Sequence, residues 1–333
     1  MTAVRTSDPD VPVAEDQGNA DADRVAPARR APRAGQRRRP PSPLTLVRQA
    51  VGSTLLILAV CALGFVVWLA LFSRLHYDHA QDLAYDNLRY ELAEGTAPIG
   101  PTEVANPNAA NSPTELVPPG SPVAVLSIPA IGLRAVVLQG TAGAVLENGP
   151  GHLRDTPLPG QVGISVIMGR QAAYGGPFSK LASLAPGDVF TVVTGQTVAQ
   201  FQVLDLRRGG DPSPPPPAAG QSRLILVTGD GAPFAPSGLL YVDANLTSKA
   251  QPAPPMVLSA SDISPSENAM GTDPSAWLPI VFWGQLLFLV TLALSWLRYA
   301  WGRWQSWLIA VPTLGYIVLS VADEVTRLLP NVM

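Results

Sequence analysis

This chain of 333 residues is poor in the side chains that most often carry out enzymatic chemistry, with one cysteine and three histidines. The lone Cys61 excludes an intrachain disulfide and a zinc site built from cysteines. His76 and His79 lie three positions apart, as two metal ligands on one helix face would. Asp78 and Asp82 lie beside them. Because charged and polar residues of this kind ordinarily form a solvated helix face, we predict no metal site and no cofactor.

The third histidine, His152, is the only imidazole after residue 121, and Asp155 follows closely enough to orient it. A hydroxyl becomes a nucleophile only beside a positioned base of this kind. The candidate nucleophiles in the same part of the chain are Thr228, Asp230, Ser165, Ser179 and Ser237. A catalytic site built from one of them with His152 therefore stays open as an alternative.

The overall composition is apolar and poor in charge. Hydrophobic residues make up 47%, charged residues 14%, and the 35 prolines outnumber the 29 glycines. The mean hydropathy is +0.20. This mixture is typical of membrane spans joined by linkers to one modest folded domain. The net charge of -3 argues against a nucleic-acid partner, which would require a basic face.

Three apolar runs are long enough to cross a bilayer, for which about 20 helical residues suffice. They cover residues 50–72, 277–297 and 304–322. The first run continues into polar sequence without a small-residue cleavage site, so we predict an uncleaved anchor rather than a signal peptide. Cys61 lies within it, where a packing role is expected.

The distribution of arginine predicts how the chain is oriented. Residues 1–49 are rich in alanine, proline and arginine, and we predict a disordered cytoplasmic tail. Arg298 and Arg303 lie between the second and third apolar runs. Basic residues favour the cytoplasmic side of a membrane. The sequence therefore predicts a multi-pass protein of the cell membrane, with its N-terminus inside and the part between the first two spans outside.

The outer part divides into a helix, two linkers and a β-domain. Residues 73–94 read as a helix leaving the membrane, and 95–121 and 251–276 as linkers rich in proline and polar residues. Between them, residues 122–250 alternate short β-branched runs with turn signals, which predicts an all-β barrel or sandwich. The proline-rich stretch 208–222 cannot pair in a sheet and is predicted to be an extended loop.

The β-domain resembles a sortase domain in several blocks that occur in the expected order. These are LSIPAIGL at 126–133, NGPGHLRDTPLPG at 148–160, VIMGRQAAYGGPFSKL at 166–181, RLILVTG at 223–229 and LLYVDANL at 239–246. The resemblance implies a closed barrel of roughly eight strands, anchored outside the membrane of a Gram-positive cell. The excess of arginine over lysine is compatible with an actinobacterial source.

The resemblance also implies a catalytic site, in which a cysteine thiolate attacks a sorting signal, a histidine moves protons and an arginine stabilises charge. All three positions differ here. Arg170 occupies the histidine position, Gly229 the cysteine position, and Gly238 lies in the region of the arginine. Because the only thiol lies in the first apolar run, composition excludes cysteine transpeptidation. We therefore predict a pseudoenzyme without catalytic residues.

What the resemblance leaves is a groove for an extended peptide. The candidate lining residues are Arg170, Tyr174, Phe178, Thr228, Asp230 and His152. Arg170 could pair with a carboxylate of a ligand, but a structural salt bridge is the expectation, and core packing is the default for the two aromatic residues. The loop 208–222 could restrict the groove or present a polyproline ligand.

The leading functional hypothesis is an inactive, membrane-anchored binding or accessory module at the cell surface. Its partner would be a surface protein, a sorting-signal peptide of the LPxTG type, or an active partner sortase. Two alternatives stay open: a divergent transpeptidase or hydrolase with a nucleophile other than cysteine, and a structural component of a membrane assembly.

Overall fold

The computed structural model describes residues 59–60, 62–68, 72–104, 114–300 and 303–333. The predicted cytoplasmic tail and most of the predicted first span, including Cys61, lie outside these residues, so those predictions are not tested.

The central feature is a closed barrel of eight strands, in the order β10-β8-β7-β3-β4-β5-β6-β9. The strands are β3 (Pro122–Ile128), β4 (Leu133–Gln139), β5 (Gly151–His152), β6 (Gly163–Met168), β7 (Val189–Thr194), β8 (Val198–Arg208), β9 (Ser222–Ala232) and β10 (Ala235–Leu246). Two neighbouring pairs, β4–β5 and β6–β9, are parallel, and the other pairs are antiparallel. The predicted closed β-barrel is confirmed.

Alternation of side chains builds the core of the barrel. Successive residues of a strand face opposite sides, so every second residue of β8 points inward. Ala199, Phe201 and Val203 are buried on this account, and Phe201 stacks on Phe190 of β7 with ring centroids 5.7 Å apart. Because these runs are rich in β-branched and aromatic residues, they fit a pleated, half-buried surface.

The same alternation divides β9 into an inner and an outer face. Leu224 and Leu226 belong to the barrel core. Ile225 and Val227 lie on the opposite face, where Val227 pairs with Met168 of β6 and belongs to a second apolar cluster. Gly229 continues this outer row, since it is two positions further along the strand.

The helix α1 (Ser73–Glu94) packs against the barrel. Leu88 is buried in a cluster with residues of β3 and β4. The Gln81 side chain accepts a hydrogen bond from the Val136 N–H at 2.7 Å and donates to the carbonyl oxygens of Val136 and Asn148. The four residues predicted to form a solvated face, His76, Asp78, His79 and Asp82, are exposed, whereas Gln81 lies on the side of the helix that faces β4.

Both predicted linkers contain structure. Strands β1 (Thr102–Val104) and β2 (Thr114–Leu116) form a separate antiparallel pair within 95–121. In the second linker, Glu267 is buried and forms two hydrogen bonds with Arg154, from Nε at 2.9 Å and from Nη2 at 2.5 Å. The linker prediction was wrong for these parts, because a polar and proline-rich composition does not reveal a segment that packs on a distant surface.

A short helix α2 (Gly143–Leu146) follows β4, and two long helices, α3 (Trp277–Ala300) and α4 (Arg303–Arg327), close the chain. Within the described residues, two stretches are long and apolar enough to cross a membrane, Pro274–Leu294 and Leu308–Arg327. The predicted count of three spans is therefore not reached in this part of the chain. After α4 the chain turns back to the barrel through residues 328–333, here called the tail segment.

Candidate functional site

Gly229 lies on the outer face of β9, at the position where the resemblance implies a nucleophile. The sequence placed it at the end of its strand, but β9 continues to Ala232 and forms a tight hairpin with β10. A Cβ added at Gly229 would lie 2.9 Å from the Pro236 Cβ, 3.3 Å from the Gln171 Oε1 and 3.3 Å from the Val332 carbonyl oxygen. The position is therefore closed in on three sides.

The tail segment covers this position. The Val332 carbonyl oxygen accepts hydrogen bonds from the Gln171 N–H at 3.1 Å and from the Gly229 N–H at 3.3 Å. The Val332 side chain is completely buried against the apolar outer face of β6 and β9. Two backbone donors converging on one carbonyl oxygen are the arrangement that stabilises an oxyanion in acyl transfer. Here the pair holds a carbonyl of the chain itself.

Asn331 fixes the tail segment from the other side. Its amide nitrogen donates to the carbonyl oxygens of Thr141, Asn268 and Ser266 at 2.8, 2.9 and 3.3 Å. Its backbone N–H donates to the Gly271 carbonyl at 2.9 Å. Three acceptors around one amide group specify its donor end, because the oxygen end would face three other oxygens.

Arg170 follows the end of β6, and its side chain is fully buried. Nη2 donates to the Gly143 carbonyl at 3.2 Å and to the Glu147 Oε1 at 3.3 Å. The guanidinium also lies over the Tyr174 ring, 4.8 Å from its centroid. Nε and Nη1 have no hydrogen-bond partner among the described residues. These contacts match the structural salt bridge that the sequence favoured over a ligand-binding role.

Burial makes the charged forms of Glu147 and Arg170 energetically unfavourable. Burial raises the pKa of the Glu147 carboxyl to about 7, and the nearby Arg170 only partly opposes this rise. Burial also lowers the pKa of the Arg170 guanidinium. Transferring both charges out of water is expensive, and one ion pair at 3.3 Å compensates it incompletely.

Tyr174 and Phe178 are buried and line no open groove. The Tyr174 hydroxyl forms hydrogen bonds with the Thr326 Oγ1 at 2.9 Å and the Asp323 Oδ1 at 3.3 Å, both on α4. Burial raises the pKa of this tyrosine. Phe178 belongs to the barrel core and packs on Gly169, where an added Cβ would meet its ring at 2.6 Å.

His152 is buried on β5, and both of its ring nitrogens lie within hydrogen-bond distance of oxygen atoms. Nδ1 lies 3.0 Å from the Gln139 Oε1, and Nε2 lies 3.0 Å from the Pro157 carbonyl oxygen and 3.2 Å from the Thr156 Oγ1. Burial lowers the pKa of His152 to about 4. Asp155 is not among its partners, so the pair expected from the sequence does not form.

The other candidate residues are dispersed. The Thr228 Oγ1 is buried and donates to the Gly169 carbonyl at 2.9 Å. Asp230 forms an ion pair with Arg208 at 3.1 Å, and Gly238 pairs with Asp230 across the hairpin. Ser165 is buried, whereas Ser179 is exposed and Ser237 lies in β10. None of the predicted hydroxyl candidates contacts His152 in the described part of the chain; the hydroxyl that does is Thr156.

The residues that build the site were largely missed by the sequence analysis. Glu147, Gln171, Asn331 and Val332 carry no motif of their own. The one available signal was the short apolar and proline-containing sequence LPNVM at 329–333, which differs from the polar sequence DEVTR before it.

The fold and the site together define a closed barrel of the sortase type. Residues 126–235 match the family model described as the sortase domain. A single-substitution variant of sortase E from Streptomyces avermitilis is 30% identical, over 40% of this chain and 91% of that one, with a TM-score of 0.34. The match to the family model assigns the domain at residues 126–235 to the sortase family.

Other solved sortases are similar at lower identity. A sortase D5 transpeptidase from Clostridium perfringens is 19% identical, over 51% of this chain and 99% of that one, with a TM-score of 0.41. A Clostridium perfringens sortase C, solved with the C-terminal cell wall sorting motif, is 20% identical over 51% of this chain and 89% of that one, with a TM-score of 0.35. No curated protein matches the chain.

Proposed function

We propose that this protein is a membrane-anchored sortase-family module that binds a peptide or protein outside the membrane without catalysing transpeptidation. The observation that carries the proposal is the chemistry around Gly229. The site keeps two convergent N–H donors for a peptide carbonyl, from Gly229 and Gln171, but offers no side chain at the nucleophile position. Such a site can hold a peptide and cannot form an acyl-enzyme with it.

The remaining catalytic positions support the same proposal. Arg170 is committed to Glu147 and remains protonated at neutral pH, so it cannot act as a base. Burial holds His152 neutral and lowers its pKa to about 4, although the hydrogen bond to the Pro157 carbonyl opposes this shift. The class of ligand proposed here is a sorting-signal peptide of a surface protein, either free or presented by a partner sortase.

The proposed location is the cell surface. Thr326 and Asp323 of α4 contact Tyr174 of the barrel domain, so this end of α4 and the barrel lie on the same side of any membrane that α4 crosses. With Arg298 and Arg303 on the cytoplasmic side, that side is the outside.

The test uses the full chain in detergent micelles with a fluorescent LPxTG-type peptide and a glycine amine. We expect binding by fluorescence anisotropy, and no cleaved or transferred product by mass spectrometry. Gly229→Val should weaken binding at least tenfold. Gly238→Val is the matched control, because a Cβ at Gly238 meets nothing within 4 Å. Transfer or hydrolysis of the peptide by the wild-type chain would contradict the proposal.

A hydrolase that uses a hydroxyl is the second candidate, and the observation in its favour is the Thr156 Oγ1 at 3.2 Å from the His152 Nε2. The same hydroxyl donates to the Leu153 carbonyl at 2.7 Å, which occupies its proton. A hydroxyl-directed fluorophosphonate probe distinguishes the two candidates. Labelling that His152→Ala abolishes would favour the hydrolase, whereas no labelling supports the binding module.

A further inference from the structure

The strongest unassigned feature is the tail segment on the outer face of β6 and β9. Val332 and Met333 are 0% and 2% exposed, although they lie outside the barrel strands and the helices. The segment is fixed by polar contacts as well as by burial, since its backbone and one side chain make hydrogen bonds to four separate parts of the domain.

We propose that the surface around Gly229 is a binding site for a peptide turn of the type Pro-Asn-Val-Met, and that residues 328–333 of the chain are its ligand in cis. The proposal rests on the proposed function, because it takes the vacated nucleophile position as a peptide-binding site. An external sorting-signal peptide then binds only where it displaces the tail segment.

The contacts define what the site recognises. The Gly229 and Gln171 N–H groups bind one carbonyl oxygen, that of Val332. The carbonyl oxygens of Thr141, Asn268 and Ser266 surround the donor end of a carboxamide one residue earlier. The ligand is therefore a peptide with asparagine immediately before an apolar residue, and an aspartate in place of the asparagine would bring a negative charge against three carbonyl oxygens.

The shape of the ligand is also defined. The Met333 N–H donates to the Pro330 carbonyl at 3.0 Å, which closes a turn over Asn331 and Val332. Proline before the turn residues restricts the backbone in advance and lowers the entropy lost on binding.

The connection to α4 keeps the ligand at high effective concentration. The tail segment follows directly after α4, whose Thr326 is itself anchored to Tyr174. A ligand tethered by so short a link competes at an effective concentration of about millimolar or more. A peptide from outside must compete with this effective concentration. Weak ligands are therefore excluded from the site until the tail segment leaves it.

The first experiment measures access to the tail segment in the full chain, in a Cys61→Ser background in micelles. Val332→Cys should react with a polymer-linked maleimide at least tenfold more slowly than Ala219→Cys, which lies in the exposed loop. Equal rates for the two thiols would overturn the proposal.

The second experiment releases the ligand. Asn331→Asp should speed the labelling of Val332→Cys at least tenfold and strengthen binding of the free hexapeptide LLPNVM at least tenfold. The matched control is Asn245→Asp, because Asn245 accepts a hydrogen bond from Arg223 and an aspartate can do the same. Unchanged labelling with Asn331→Asp would overturn the assignment of the carboxamide pocket.

The outcomes separate this inference from the proposed function. Slow labelling of Val332→Cys without binding of any sorting-signal peptide, even after Asn331→Asp, would support the tail as ligand and contradict the surface-binding function. Fast labelling of Val332→Cys together with binding of a sorting-signal peptide would contradict the tail segment as ligand and support the surface-binding function.

Discussion

Two buried polar pockets of the domain, around His152 and around Arg170, differ in their surroundings. Among the described residues, every hydrogen-bond partner of the His152 side chain belongs to β4 or to the loop after β5. The Arg170 pocket is closed partly from outside the barrel, since Thr326 of α4 lies 3.5 Å from the Glu147 Oε1 and 2.9 Å from the Tyr174 hydroxyl. One pocket is therefore completed by the barrel, and the other only by α4.

The difference bears on Arg170, which lies where the resemblance to sortases implies a histidine. An arginine there cannot move protons, but its fixed charge demands a buried partner, and Glu147 supplies it. The pocket thereby joins the barrel to α4. His152 is therefore expected to stabilise the barrel itself, whereas Arg170 is expected to stabilise the packing of α4 against the barrel.

The largest expected effect comes from breaking the buried ion pair. Arg170→Met leaves Glu147 buried without a counter-charge and should destabilise the chain by about 3–5 kcal/mol at pH 8. Thermal unfolding of the full chain in micelles measures this loss. Arg208→Met is the control, because its ion pair is exposed and should contribute less than about 1 kcal/mol.

The double variant Arg170→Met with Glu147→Leu sharpens this test. Replacing a buried ion pair by apolar residues of similar volume is often neutral, so the double variant should recover most of the stability. A single variant that unfolds at the wild-type temperature would show that the ion pair does not hold the pocket together.

The Glu147 carboxyl should make stability fall as pH rises. Its pKa in the folded protein is about 7, above the ordinary value of 4.5. Its contribution is therefore fully present below pH 4.5 and is lost as pH rises through 7, by on the order of 3 kcal/mol. Glu147→Gln should flatten this part of the pH profile of thermal unfolding, and the exposed Glu94→Gln should not. A profile unaltered by Glu147→Gln contradicts the assignment.

His152 should produce the opposite slope. Its pKa in the folded protein is about 4, below the ordinary value of 6.5. The stability it contributes is present above pH 6.5 and is lost as pH falls toward 4, by on the order of 3 kcal/mol. His152→Gln should remove this acid-side loss from the unfolding profile. The exposed His79→Gln is the control, and an equal response of both variants would point to a general charge effect.

The smallest expected effect on stability comes from the contact between Tyr174 of the barrel domain and α4. Tyr174→Phe removes the hydrogen bonds to Thr326 and Asp323 and keeps the ring over Arg170. We expect a loss of about 1 kcal/mol, measured by thermal unfolding, because one hydroxyl is removed at a buried contact. Tyr316→Phe, at an exposed position of α4, should cost nothing measurable. A loss as large as that of Arg170→Met would mean that the hydroxyl, and not the ion pair, joins the helix to the barrel.

The barrel could be predicted from the sequence because its signals are local. Alternating runs such as 198–203 fix which residues face inward, and the glycine and proline turns fix where strands end. The salt bridge of Arg170 could also be predicted from the sequence, because a charged side chain inside a fold requires a partner.

The packing of the tail segment over Gly229 could not be predicted from local sequence signals. The hydrogen bond from Asn331 to Thr141 joins residues 190 positions apart, and no local pattern encodes such a contact. For the same reason the segment around Glu267 read as a linker, although Arg154 binds it at a separation of 113 positions. Polar composition describes how a segment interacts with water and says little about which surface it covers.

The direct passage from α4 into the tail segment limits what can reach the site. Val332 follows Arg327 by five positions, and five residues extend over at most about 18 Å. The Gly229 surface is thus held within that distance of the end of α4. On the proposal that α4 crosses the membrane, any chain that replaces the tail segment must reach the site close to the lipid headgroups. We then expect a client anchored in the bilayer to reach it more readily than one that diffuses freely in the medium.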